Sequence, residues 1–130
     1  VGNFENDDAL DWAADLEFAE DLKPLKEAFK VIDESGYLEA PDCSNALAAA
    51  EIVSAIIHPK AVNENENFPE EAIDFVKSNS GDVPDNLVSE SISSTQKVIE
   101  SSELKELWSE TDDLDKWLKI QEQLLHRLQQ

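Results

Sequence analysis

Apolar residues return every three or four positions through most of this chain, and that period leaves little besides helices for it to form. Ala9, Trp12, Ala13 and Leu16 recur at i, i+3, i+4 and i+7, the spacing of one buried helical face. Leu22, Leu25, Phe29 and Ile32 keep a helical period. So do Ala46, Ala49, Ala50, Val53, Ile56 and Ile57, and later Leu114, Trp117, Leu118, Gln121, Leu124, Leu125 and Leu128. Only three glycines interrupt 130 residues, which disfavours a protein of strands and tight turns, while Ala, Leu, Glu and Lys favour helices. The expected fold is all-α, a single-domain irregular bundle of about five to seven helices over residues 1–130. A hydrophobic content of 41%, with three Trp and five Phe, suffices for one modest core.

The starts and stops follow from capping chemistry. Asn6 or Asp7 suits the N-cap of a first helix running to about Glu20. Phe4 is placed to fold back on its first turn as a hydrophobic staple. Asp21 and Pro24 open a second helix, and Gly36 is placed to end it in the left-handed conformation. A third runs from Pro41 to Ile57, where the small residues Ala46 to Ala50 let a neighbour approach closely. It is expected to be the most buried element, with Glu51 on its solvent side or capped. Lys60 to Asn67 reads as a loop, Pro69 to Asn79 as a short helix, and Asn79-Ser80-Gly81-Asp82 as a break. Pro84 opens a helix with Val88, Ile92, Thr95 and Ile99 on its face, weakened by the run of hydroxyl residues from Ser91 to Thr95. A kink near Ser101-Ser102 leads into Glu103–Trp108, and Thr111 or Asp112 caps the last helix.

Three segments carry a resemblance: Gly2-Asn3-Phe4-Glu5-Asn6-Asp7-Asp8-Ala9-Leu10-Asp11-Trp12; Tyr37-Leu38-Glu39-Ala40-Pro41-Asp42 with Ala46-Leu47-Ala48-Ala49-Ala50-Glu51; and Glu103-Leu104-Lys105-Glu106-Leu107-Trp108. Together they resemble the bacterial family called domain of unknown function 4259, whose members open Gly-x-Trp-Gly-x-Gly-x-Phe-x-Asn-Asp-x-Ala-x-Asp-Trp. The resemblance covers nearly the whole chain. It implies a small helical domain and no particular activity. The Trp-Gly of that opening does not precede Gly2, and the chain has no Met. The resemblance therefore implies a few further residues ahead of Val1.

Thirty acidic residues stand against ten basic ones, a net charge of −20. Such a surface repels a phosphate backbone and an anionic membrane, so neither nucleic acid nor membrane is an expected partner. A basic protein is, and its approach would be electrostatically steered. The lone Cys43 allows no internal disulfide and points to a reducing, cytoplasmic setting. Its place near a helix N-terminus would lower its pKa, but no activating motif flanks it. His58 and His126 fall at helix C-termini, without partners at metal-ligand spacing. There is no glycine-rich phosphate loop, no cofactor is expected, and no catalytic residue is assigned.

These exclusions favour a non-catalytic, acidic, protein-binding domain, of immunity or inhibitor type, against a basic toxin or nuclease. Asp7, Asp8, Asp11 and Asp15, with Asp112 and Asp113, are its candidate contact residues. Asp8, Asp11 and Asp15 share a helical face and repel by roughly 0.2–0.5 kcal/mol per pair. One alternative is a divalent-metal-dependent hydrolase using Glu5, Asp7, Asp8 and Asp11, since converging carboxylates bind hard cations. The other is a structural protein that self-associates through an apolar face.

Overall fold

The computed structural model describes residues 2–60, 67–81 and 83–130, and among them it holds seven α-helices and no strand. Helix α1 (Asp7–Ala14) continues as a 3-10 segment (Asp15–Phe18). Then come α2 (Lys23–Glu34), α3 (Ala40–Ile57), α4 (Glu70–Ser78), α5 (Asp85–Glu100), α6 (Glu103–Ser109) and α7 (Leu114–Leu128). This is the all-α irregular bundle that the apolar period predicts. Most of the predicted 60–67 loop, and Asp82 of the predicted break, lie outside the described residues.

Helix α3 is the axis of the bundle and packs against each of the other six helices. Every residue from Ala46 to Ile56 is buried, so the one-sided face expected for it becomes burial all round. Five alanines in that run, Ala46, Ala48, Ala49, Ala50 and Ala55, keep the helix thin enough for neighbours to reach it from several directions. Its N-terminus is tied down from far along the chain. The Glu103 carboxylate accepts from the Ala40 N–H at 2.7 Å, and the Glu103 N–H donates to the Leu38 carbonyl at 2.9 Å. A carboxylate there also meets the positive end of the helix dipole.

All-round burial overturns the solvent-side placement expected for Glu51. It is 3% exposed and pairs with Arg127 of α7. Burial pushes its carboxyl above the usual range, and the facing Arg127 guanidinium only partly offsets this. The same two helices meet again where His58 Nε2 donates to the Arg127 carbonyl at 3.0 Å.

Helix α7 buries Trp117, Gln121, Leu124 and Leu128, as its period predicts. Buried Gln121 and Asn3 exchange two hydrogen bonds, Asn3 Nδ2 to Gln121 Oε1 at 3.0 Å and Gln121 Nε2 to Asn3 Oδ1 at 2.8 Å. This closed amide pair pins the start of the chain to its last helix. Beside it, buried Phe4 finds a ring partner in Phe68, with centroids 4.8 Å apart.

Other expectations are corrected. Helix α1 stops at Ala14, six residues short, because the chain tightens into a 3-10 turn that packs against α4. Helix α2 ends at Ser35 in extended backbone, its hydroxyl donating to the Val31 carbonyl at 2.6 Å. No described glycine, Gly36 included, has a positive φ. Helix α5 buries Leu87, Ser91, Ser94, Thr95 and Val98, whereas Val88, Ile92 and Ile99 are only partly covered. The phase is rotated so that small hydroxyl residues take core-facing positions on α5, which packs on α2, α3, α6 and α7. Ser91 and Thr95 satisfy their hydroxyls on the carbonyls of Val88 and Ser91 at 2.6 and 2.8 Å. At the predicted kink, Ser102 caps α6 by accepting from the Lys105 N–H at 3.1 Å. The last helix is capped by neither Thr111 nor Asp112: its N-cap is Asp113, whose side chain makes no capping bond, and Thr111 Oγ1 accepts from the Asp113 N–H at 3.1 Å in the turn before it.

Two stability tests follow from the buried polar pairs. Asn3→Ala leaves the buried Gln121 amide without Asn3 and should cost about 1–3 kcal/mol in urea unfolding. Adding Gln121→Leu should recover much of it. Arg127→Met removes the cation facing Glu51 and should cost about 3 kcal/mol, largely recovered by Glu51→Leu/Arg127→Met. On unfolding, Glu51 returns to its ordinary value of 4.5. Its contribution is thus full below pH 4.5 and is lost as pH rises toward its higher folded value. Wild type should therefore lose stability relative to Glu51→Gln across that rise.

Candidate functional site

The first helix builds its acidic surface from local sequence. Asn6 Oδ1 accepts from the Ala9 N–H at 2.8 Å and starts α1, so Asp7 and Asp8 fall in the first turn, where the dipole favours them. Ala9, Ala13 and Leu16 turn into the core. That leaves Asp7, Asp8, Asp11 and Asp15 exposed. None of these four is in an ion pair among the described residues. No Lys or Arg occurs before Lys23, so no basic side chain of the same segment offsets these charges. Asp15 belongs to the 3-10 segment rather than to α1, which takes it off the regular i+7 position that a continuous helix would give it.

The 3-10 segment divides two acidic grooves. One, about 320 Å³, has Leu16, Ala19 and Phe75 as its apolar lining and Glu17, Glu70, Glu71 and Asp74 as its acids. The other, about 350 Å³, has Trp12, Leu16, Pro24, Ala28 and Val31, with Asp15, Glu27 and Asp42 as its acids. Leu16 is common to both. Neither groove is lined by a Lys or Arg, although exposed Lys23 lies 3.8 Å from Glu27. Asn45 also lines the second groove, and its side-chain oxygen is buried without a hydrogen-bond partner among the described residues. Between Glu17 and Ala19, both on the first groove, Phe18 stands 80% exposed.

The remaining candidates lie elsewhere. Asp112 and Asp113 sit in the turn before α7, Asp112 exposed and Asp113 within 3.4 Å of Lys116. Helix α1 packs on α3 and α4, and α7 on α3, α5 and α6, so the two acidic groups belong to different parts of the bundle. Glu5 is exposed and accepts from Asn67 Nδ2 at 2.8 Å. Among the described residues, no three His, Cys, Asp or Glu side chains are gathered as a metal ion would require.

Sequence reasoning missed Phe18 and the acids that α2, α3 and α4 add to the grooves. Phe18 left a signal. It lies two residues after Leu16, off the period of Ala9, Trp12, Ala13 and Leu16, so a regular helix would already turn it outward. Glu70, Glu71 and Asp74 left none, because only the packing of the 3-10 segment on α4 brings them alongside.

Cys43 reverses its expectation. It is fully buried beneath the start of α6, and burial pushes the thiol up to about 11 despite its place near a helix N-terminus. Burial outweighs the dipole because the thiolate has no water around it. Native protein at pH 8 should therefore react with a thiol reagent only as fast as it opens, and the labelling rate should jump to that of a free thiol in denaturant. Fast labelling of the native chain would contradict the burial.

Comparison with curated proteins and with solved structures gives no match. Residues 1–119 match the family described as Domain of unknown function (DUF4259). That span is most of the chain and includes the whole α1 surface and both grooves. The chain therefore belongs to the DUF4259 family.

Proposed function

We propose that this chain is one non-catalytic binding domain that engages a basic protein in a bacterial cytoplasm, in the manner of an inhibitor or immunity protein against a basic toxin or nuclease. The observation that carries this reading is the exposed acidity of α1 and its 3-10 extension, Asp7, Asp8, Asp11 and Asp15, none of them in an ion pair among the described residues. Several like charges held on one helix raise the energy of the free surface. A partner's cations relieve it, which favours fast, oriented association. The lone cysteine, buried and with its thiol pKa raised, suits a reducing compartment. Asp112 and Asp113 form a second acidic edge at the turn before α7 and contribute through long-range attraction only.

The test begins with capture of partners from the source lysate at low salt and elution at high salt. Against a recovered basic protein, reversing Asp8, Asp11 and Asp15 to Lys should lower the association rate by about tenfold or more and flatten its salt dependence. Reversing Asp112 and Asp113 should do less. Unchanged association after the triple reversal would refute the assignment.

A further inference from the structure

We infer that the 3-10 crest is the docking surface itself, and that its occupant is an amphipathic basic segment of the partner, which seats apolar side chains against Phe18 and lays Lys or Arg side chains into the two flanking grooves. This rests on the basic-partner reading above and specifies where and how that partner binds.

Phe18 is the most exposed large hydrophobic side chain among the described residues, at 80%. An aromatic left in water is a ready anchor, because its burial on binding returns its full apolar area. It stands on a segment whose neighbour Leu16 is locked in the core, so the crest is preorganised. The grooves on either side combine an apolar lining with acidic side chains, Glu17, Glu71 and Asp74 in one and Asp15 and Asp42 in the other. Long basic side chains match both parts, with the methylene stem on the apolar lining and the cation at the carboxylates. Trp12 in the second groove adds an aromatic surface for a cation.

The same charges oppose a two-fold pairing of this chain through the crest. Two copies meeting through this crest would set identical acids against each other, since a two-fold interface pairs a patch with itself. Phosphorylated or acidic ligands are repelled for the same reason.

Two synthetic peptides of equal positive charge separate the parts of this inference. One carries Leu at helical spacing among Lys, and the other has Ser in place of each Leu. At low salt the Leu/Lys peptide should bind about tenfold tighter than the Ser/Lys peptide. Phe18→Ala should abolish that difference and leave Ser/Lys binding unchanged. The exposure of Phe18 makes the variant safe for folding. Leu107→Ala, which removes a 49% exposed apolar side chain from α6, should leave both affinities unaltered. If Phe18→Ala has no effect, or Leu107→Ala does equal damage, the crest is not the docking surface, although a basic partner still binds elsewhere. If neither peptide binds wild type at low salt, the basic-partner reading fails and the docking surface fails with it.

Discussion

All-round burial of α3 is the constraint on which the rest of this structure depends. A helix with no solvent-facing side between Ala46 and Ile56 must find packing partners around its whole circumference. Six helices supply them. Alanine makes this possible, since bulkier residues at Ala46, Ala48, Ala49, Ala50 and Ala55 would push those neighbours away. The arrangement also accounts for the buried polar groups. Glu51 lies in the fully buried stretch, so its carboxylate is met by Arg127 rather than by bulk water. Such pairs stabilise little on balance, but losing one member is costly, so they favour one arrangement of α3 and α7 over alternatives. The Asn3–Gln121 amide pair does the same for the two ends of the chain.

A core built around one apolar helix leaves the peripheral helices free to carry the charge. Helix α1 and the 3-10 segment commit only Ala9, Ala13 and Leu16 fully to the core. Their other faces are open to water and strongly acidic. On the 3-10 turn Leu16 is buried and lines both acidic grooves, while Phe18, two residues on, stands exposed beside the first of them. The DUF4259 match spans these residues together with the α3 axis, so core and surface belong to one unit of sequence.

Much of the fold was legible because helix formation is governed by local periodicity and capping. The faces of α2 and α7, the proline starts of α3 and α5, and the break at Ser101-Ser102 all follow from residues within a few positions of one another. The misreadings are instructive one by one. Gly36 has the freedom to adopt a left-handed cap, but α2 ends at Ser35 without one. Ser91 and Ser94 look like surface residues, but α5 turns them toward the core because a close approach is worth more than an apolar side chain at a distance. Cys43 sits where the dipole would lower its pKa, but burial raises it. For Ser91, Ser94 and Cys43 a local preference of about a kcal/mol yields to burial and to packing that sums over many contacts, whereas exposed Gly36 meets no such packing.

The sequence by itself determined the class of fold, the positions of most helices, the depth of α3 and the acidity of α1, since period, caps and charge count act within a turn or two of helix. Tertiary structure alone decided what stands next to what. It placed Arg127 opposite Glu51 and Gln121 opposite Asn3, and it brought Glu70, Glu71 and Asp74 to one side of the Phe18 crest and Glu27 and Asp42 to the other. Those juxtapositions join residues tens of positions apart. Their physical cause is the way six helices share the surface of a seventh, which no local pattern encodes.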